Sequence, residues 1–101
     1  MSYNLIVTED AEDDLESAND WYEAKQQGLG SKFLLSVRNC ITLIVKNPFA
    51  FAKVYLDIRK ANTKKYPYSL FFSINEATKD VTIFAVFHHS RDNKKWEERI
   101  E

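Results

Sequence analysis

Apolar residues change their spacing halfway along the chain. Tyr3–Thr8 is short and β-rich, and predicts a first strand. Thr8 then stands where a helix N-cap would, followed by Glu9, Asp10, Glu12, Asp13 and Asp14, negative charges that suit a helix N-terminus. Ala11, Leu15, Ala18 and Tyr22 recur at helical spacing, widened by Trp21, and predict a first helix ending before Gly28. Leu29 and Gly30 read as a tight connection. A second helix is expected over Ser31–Lys46, with Phe33, Leu34, Val37, Ile41, Ile44 and Val45 on one face and Asn47-Pro48 as its stop. After Pro48 the period shortens. Val54–Ala61, Tyr66–Asn75 and Asp80–His88 predict three strands, the last long, apolar and central, with Glu76–Asp80 as a polar hairpin loop. Ser90–Asn93 reads as a turn and Lys94–Glu101 as a short terminal helix. The predicted fold class is α+β in the order β-α-α-β-β-β, a helical hairpin packed on one face of a mostly antiparallel four-stranded sheet.

Composition narrows the picture. With 101 residues, residues 1–101 read as a single domain, and 45% hydrophobic residues are enough to build a core. No apolar run reaches membrane-spanning length, no signal peptide is visible, and the one cysteine, Cys40, has no partner for a disulfide, so a cytoplasmic location is expected. The formal charge of −1 hides an asymmetry: residues 1–50 carry four Lys/Arg against eight Asp/Glu, and residues 51–101 ten against seven. Lys53, Arg59, Lys60, Lys64 and Lys65 face Asp57 alone in the most basic stretch. A pI of 6.1 does not mark a nonspecific nucleic-acid binder, yet a local basic face in the second half suits an acidic or phosphate surface.

Two residue patterns carry more. Arg59 stands near the end of one predicted strand, a few residues before the opening Tyr66-Pro67-Tyr68 of the next, within VYLDIRKANTKKYPYSLFFSI. The chain then closes on VFHHSRDNKKWEERI, with His88, Arg91 and Trp96. These patterns, the aromatic pair in ANDWY (Ala18–Tyr22) and the element order resemble the RelE/ParE superfamily of type II toxin–antitoxin toxins, specifically its ParE-like branch. The resemblance covers nearly the whole chain. It implies a bacterial stress-linked toxin silenced by a cognate antitoxin, through which the pair binds operator DNA. For the ParE-like branch it implies DNA gyrase as target, without enzymatic activity of the toxin's own. The alternative it leaves is the RelE-like ribosome-dependent mRNA endonuclease.

Metal-free RNA cleavage needs a base, an acid and cations around the phosphorane. Nuclease-branch members often carry an Arg early in the strand that here reads YPYSLFF, where this chain has Ser69, and a C-terminal Tyr or His. Trp96 cannot transfer a proton. Arg91 survives from that set, and His88 or His89 supplies a titrating group near neutrality. The non-enzymatic reading is therefore preferred, with no confident catalytic residue. Arg59, Lys60, Lys64, His88, Arg91 and Trp96 are the candidate target-binding residues; those that bind the antitoxin are not readable. Plainer roles compete. Arg59 pairs with Asp57 or a helix carboxylate, worth about 0–1 kcal/mol at a surface; Lys64-Lys65 is a solvated turn; Trp96 pins the tail; the acidic cluster is a solvated, dipole-matched face. No cofactor, metal site or phosphate loop is expected: the histidines are adjacent, and no Cys or carboxylate pair has ligand spacing.

Overall fold

A computed structural model describes residues 2–91 and 95–99. Strand β1 (Asn4–Val7) leads into α1 (Glu9–Lys25), a three-residue connection, and α2 (Leu29–Lys46). A 3-10 turn at Pro48–Ala50 precedes β2 (Lys53–Tyr55), β3 (Ile58–Asn62), β4 (Tyr68–Asn75) and β5 (Asp80–His88), and a second 3-10 turn spans Lys95–Arg99. The strands form one sheet in the order β1-β5-β4-β3-β2, antiparallel except for the parallel pair β1–β5.

Local chemistry sets the helix boundaries. Thr8 is extended, and its hydroxyl accepts from the Ala11 amide at 3.2 Å, capping α1 as expected. Gly28 turns the chain with φ +87°, a left-handed conformation that glycine adopts without Cβ strain. Leu29 and Gly30 lie inside α2 rather than in the connection. A Cβ on Gly30 would sit 2.4 Å from Asn19 Oδ1 and 2.9 Å from the Asn19 carbonyl, so glycine is what lets the two helices approach here. Asn47 ends α2 before Pro48.

The sheet has five strands, not four. The segment expected as one strand over Val54–Ala61 folds back on itself: Tyr55 pairs with Ile58 across Leu56-Asp57. Leu56 takes φ +47° there and is 70% exposed, a turn with no glycine or asparagine to announce it. The terminal helix is a 3-10 turn over Lys95–Arg99; Lys94, Ile100 and Glu101 of the expected helix, and Asp92 and Asn93 of the expected turn, lie outside the described residues.

Both faces of the sheet are apolar. Leu70, Phe72, Val81, Ile83 and Val86 face the helices and meet Ala11, Ala18, Tyr22, Phe33, Val37 and Ile44. Ile58, Phe71, Phe84, Ala85 and Phe87 form a second cluster with Trp96 on the opposite face. Of the expected core, Phe33, Val37, Phe71, Ile83 and Ala85 are buried, and Ile41 packs half-buried against it. A bulge separates the pairs Phe71↔Ala85 and Phe72↔Ile83, leaving Phe84 as an extra residue on β5. Phe84 and Ala85 therefore both belong to the second face. Beyond them Val86 and His88 turn to the helix side, and Phe87 and His89 to the other.

Candidate functional site

Past Val7, β1 no longer covers the edge of β5, and a side chain takes over its backbone bonding. Asp14, on the inner side of α1, accepts from the Val86 amide at 3.0 Å. The same carboxylate receives Arg99 bidentately, at 2.7 and 3.1 Å, and Arg91 lies 3.8 Å away. Arg99 also donates to the Phe84 carbonyl at 3.1 Å. The hydrogen bond to Asp14 raises the Arg99 pKa above its ordinary value, against the opposing pull of burial. Two-point charged pairs of this kind are the strong ones. Asp14 thus joins α1, β5 and the terminal turn, while its acidic neighbours Glu12 and Asp13 are exposed.

The terminal turn lays Trp96 across the second face. Its ring stacks on Phe71 at 5.0 Å and meets Tyr55 and Phe84 edge-on or tilted at 5.7 and 6.3 Å. Trp96 is 4% exposed, and its buried Nε1 has no hydrogen-bond partner among the described residues. The aromatic anchor expected to face a target is turned into the protein's own sheet.

Beside Trp96 the second face becomes polar. A cavity of about 120 Å³ is lined by Lys60, Asn62, Ser69, Phe71, Phe87, His88 and His89. Strands β3 and β4 deliver Lys60 opposite Phe71 and Asn62 opposite Ser69. The Ser69 hydroxyl, 1% exposed, donates to Asn62 Oδ1 at 2.5 Å and lies 3.0 Å from His89 Nε2. With that proton given to Asn62, Ser69 is the acceptor and His89 carries its proton on Nε2. The Arg91 guanidinium lies 3.9 Å from the Phe87 ring centroid at the rim. The site combines two cations, an oriented imidazole and aromatic walls, and suits an anionic or phosphate group of a larger partner. Among the described residues no group of three His, Cys, Asp or Glu is placed to hold a metal.

Of the candidates, Lys60 and His88 line this cavity, Arg91 reaches its edge over Phe87 while also lining a hollow beside Asp14 and Trp21, and the others lie elsewhere. Arg59 is on the helix side, donating to the Phe51 carbonyl at 2.6 Å and lying 5.0 Å from the Phe49 ring centroid rather than pairing with Asp57. Asp57 instead meets Lys53 at 3.6 Å. Lys64 is exposed, and its carbonyl receives Ser36 Oγ at 2.6 Å. The His88 ring faces Tyr68 edge-on at 5.1 Å, and its Nδ1 accepts from the Ser90 amide at 3.0 Å. His89 is the histidine bonded into the second-face site. Sequence reasoning gave Asn62, Asp14 and Arg99 no role there; alternation along β3 was a signal for Asn62, and none existed for the Asp14–Arg99 pair.

A family model described as the ParE toxin of the type II toxin–antitoxin system parDE matches residues 5–93. No curated protein sequence matches the chain. Among solved structures, the chromosomal ParDE system of P. aeruginosa matches with a TM-score of 0.75 at 16% identity, covering 86% of this chain and 96% of that one. A free-state double mutant of the E. coli toxin RelE matches with a TM-score of 0.73 at 16% identity over 100% of both chains. The RelBE2 toxin–antitoxin complex of Mycobacterium tuberculosis gives 0.66 at 19% identity, covering 87% and 99%. At such identities these likenesses concern the fold.

Proposed function

Because the chain belongs to the ParE toxin family of type II toxin–antitoxin systems, we propose that it arrests growth by engaging DNA gyrase and is kept silent by a cognate antitoxin. The observation that carries this reading is the centre of the second-face site. Where nuclease-branch members often carry an arginine, β4 has Ser69, 1% exposed and bonded to Asn62 and His89. The C-terminal Tyr of that branch is missing, and Trp96, which sits near its place in sequence and cannot transfer a proton, is buried against Phe71. What remains, Lys60 and Arg91 around an aromatic floor, suits binding a charged surface better than a two-proton cleavage. The antitoxin partner is supported by the matched ParDE and RelBE structures, whose descriptions name toxin–antitoxin systems.

His89 next to Lys60 favours the RelE-like reading to one extent: an imidazole and a cation share a cavity there. The two readings separate in purified systems. The gyrase reading expects inhibited supercoiling and accumulated cleaved DNA when toxin is added to gyrase, and intact mRNA in a translating ribosome mixture. Ribosome-dependent mRNA cleavage with gyrase unaffected would replace it with the endonuclease. The antitoxin arm is checked by coexpression with the adjacent small gene, which should copurify with the toxin and restore growth.

A further inference from the structure

The β2–β3 hairpin gathers a bulge, a left-handed turn and an exposed apolar run in one place. The register slips between Lys53 and Tyr55, so Val54 is an extra residue on the edge strand. Tyr55 pairs with Ile58, and Leu56 opens the turn between them with φ +47°. That region crowds an L side chain, and glycine is the usual occupant at such a turn. Lys65 and Lys79 adopt it too, but each gives water a charged side chain. Leu56 gives water an isobutyl group: it is 70% exposed and continues the exposed pair Val54 and Tyr55, at 46% and 42%. A lone exposed leucine is ordinary. A strained one at the end of an apolar run costs the isolated chain in backbone and in solvation, and so exposed a side chain recovers little of either.

The hairpin also belongs to the second face. Tyr55 meets Trp96 edge-on at 5.7 Å, and Ile58 joins the same cluster. Lys60 follows on the same side of β3, about 7 Å along the strand, and lines the cavity that holds His89. A partner seated over that cavity reaches the hairpin at its margin.

Charge narrows the partner. Lys53 and Asp57 straddle the turn 3.6 Å apart and cancel, and Arg59 is drawn to the Phe51 carbonyl. A side chain that wedges between bases needs free cations around it to hold the phosphates. Here the neighbour of Leu56 is Asp57, its side chain 91% exposed. An apolar tip without net charge fits an apolar recess in a folded protein.

We propose that Leu56 is the apolar anchor of the target-binding surface: it enters a recess on the protein that the second face engages, while Lys60 makes the charged contact beside it. This rests on the reading of the second face as the surface that meets gyrase.

The test compares the wild type with Leu56→Asn, Leu56→Met and Lys79→Asn. Asparagine tolerates the left-handed region, so Leu56→Asn removes the anchor and eases the strain together. It should need at least about tenfold more protein to half-inhibit supercoiling by purified gyrase, and should arrest growth more weakly on induction. Its urea midpoint should be equal to that of the wild type or higher. Leu56→Met keeps an apolar side chain of similar volume and should recover most of the inhibition. Lys79→Asn, the same change at another left-handed turn, should inhibit like the wild type. The proposal is overturned if Leu56→Asn inhibits as well as the wild type, or if its activity and its urea midpoint fall together. It is also overturned if the wild type self-associates or binds duplex DNA without gyrase and Leu56→Asn does not, for the tip would then have another occupant. If the wild type leaves gyrase untouched, the gyrase reading fails and growth arrest alone judges the tip: arrest lost in Leu56→Asn and kept in Leu56→Met retains the anchor, and arrest kept in both removes it.

Discussion

On the helix side of the sheet Leu70, Phe72, Val81 and Ile83 are at most 1% exposed, beneath two helices of 17 and 18 residues. On the other side Phe71, Phe84 and Phe87 are almost as well covered, but by Trp96 of a five-residue 3-10 turn over Phe71 and Phe84, and by Arg91 and Arg99 over Phe87. The first face spreads its burial over many side chains. The second concentrates it in one ring and one ion pair, Asp14–Arg99, and leaves its far end polar and open at Lys60 and His89. The second face stays open at its polar far end, and the first beside the tip of β5.

That contrast is tested first in the core. Phe72→Ala removes a fully buried ring from the helix side and should cost about 4 kcal/mol, read as a large drop in urea midpoint. If the second face is held as described, Trp96→Ala should cost about 3 kcal/mol, while Trp96→Phe, which keeps the ring and removes the unpartnered Nε1 donor, should cost little. An unchanged midpoint in Trp96→Ala would show that the turn contributes nothing to the fold.

Next comes the clamp. Asp14→Asn keeps the shape and an acceptor but loses the ion pair with Arg99, at a cost of about 2 kcal/mol. Hydrogen exchange should rise at the Val86 amide while the β1–β5 pairs stay protected. Equal loosening of both would mean that Asp14 supports the whole fold rather than this corner.

A smaller effect belongs to the helix side. Burial pushes the Cys40 thiol up to about 11 from its ordinary 9.0. A raised acid is neutral in the folded protein, so its contribution is complete below the unfolded pKa and is lost as pH rises through the folded one. Between about pH 9 and 11 the protein should therefore lose more stability than Cys40→Ala, measured by urea unfolding across that window.

The smallest change in stability should accompany the largest change in function. Lys60→Ala should shift stability by less than about 0.5 kcal/mol, and Arg91→Ala, which loses its stacking on Phe87, by about 1 kcal/mol. Both should abolish growth arrest on induction, with antitoxin binding retained. Full toxicity in both variants would move the active surface away from the second face.

Sequence reasoning reached the elements whose signals are local. The Thr8 cap, the apolar stripes of α1 and α2 and the Pro48 stop depend on residues within a few positions of one another. The β2–β3 turn escaped because Leu56 adopts a left-handed conformation without a glycine's signature. The bulge escaped because VTIFAVF is apolar enough to suit either face at nearly every position, so pattern could not reveal where alternation slips. For the site, Lys60 and Arg91 were visible as cations near strand ends. The Asp14–Arg99 pair joins residues from opposite ends of the chain, and no spacing rule links them.

That same separation governs how the molecule comes into being. The first strand pairs with the last, Asn4 against Asp80 and Val7 against Ile83. A ribosome adding about 5–20 residues per second takes roughly 4–15 s to travel from one to the other. Throughout that interval β1 has no neighbour to bond, the helical stripe has no β5 to cover, and neither Lys60 nor His89 belongs to a surface. Contacts so distant in sequence also form slowly once the chain is complete. Synthesis therefore imposes its own delay on this protein: neither the paired sheet nor the corner at Asp14 exists while its final strand is unmade.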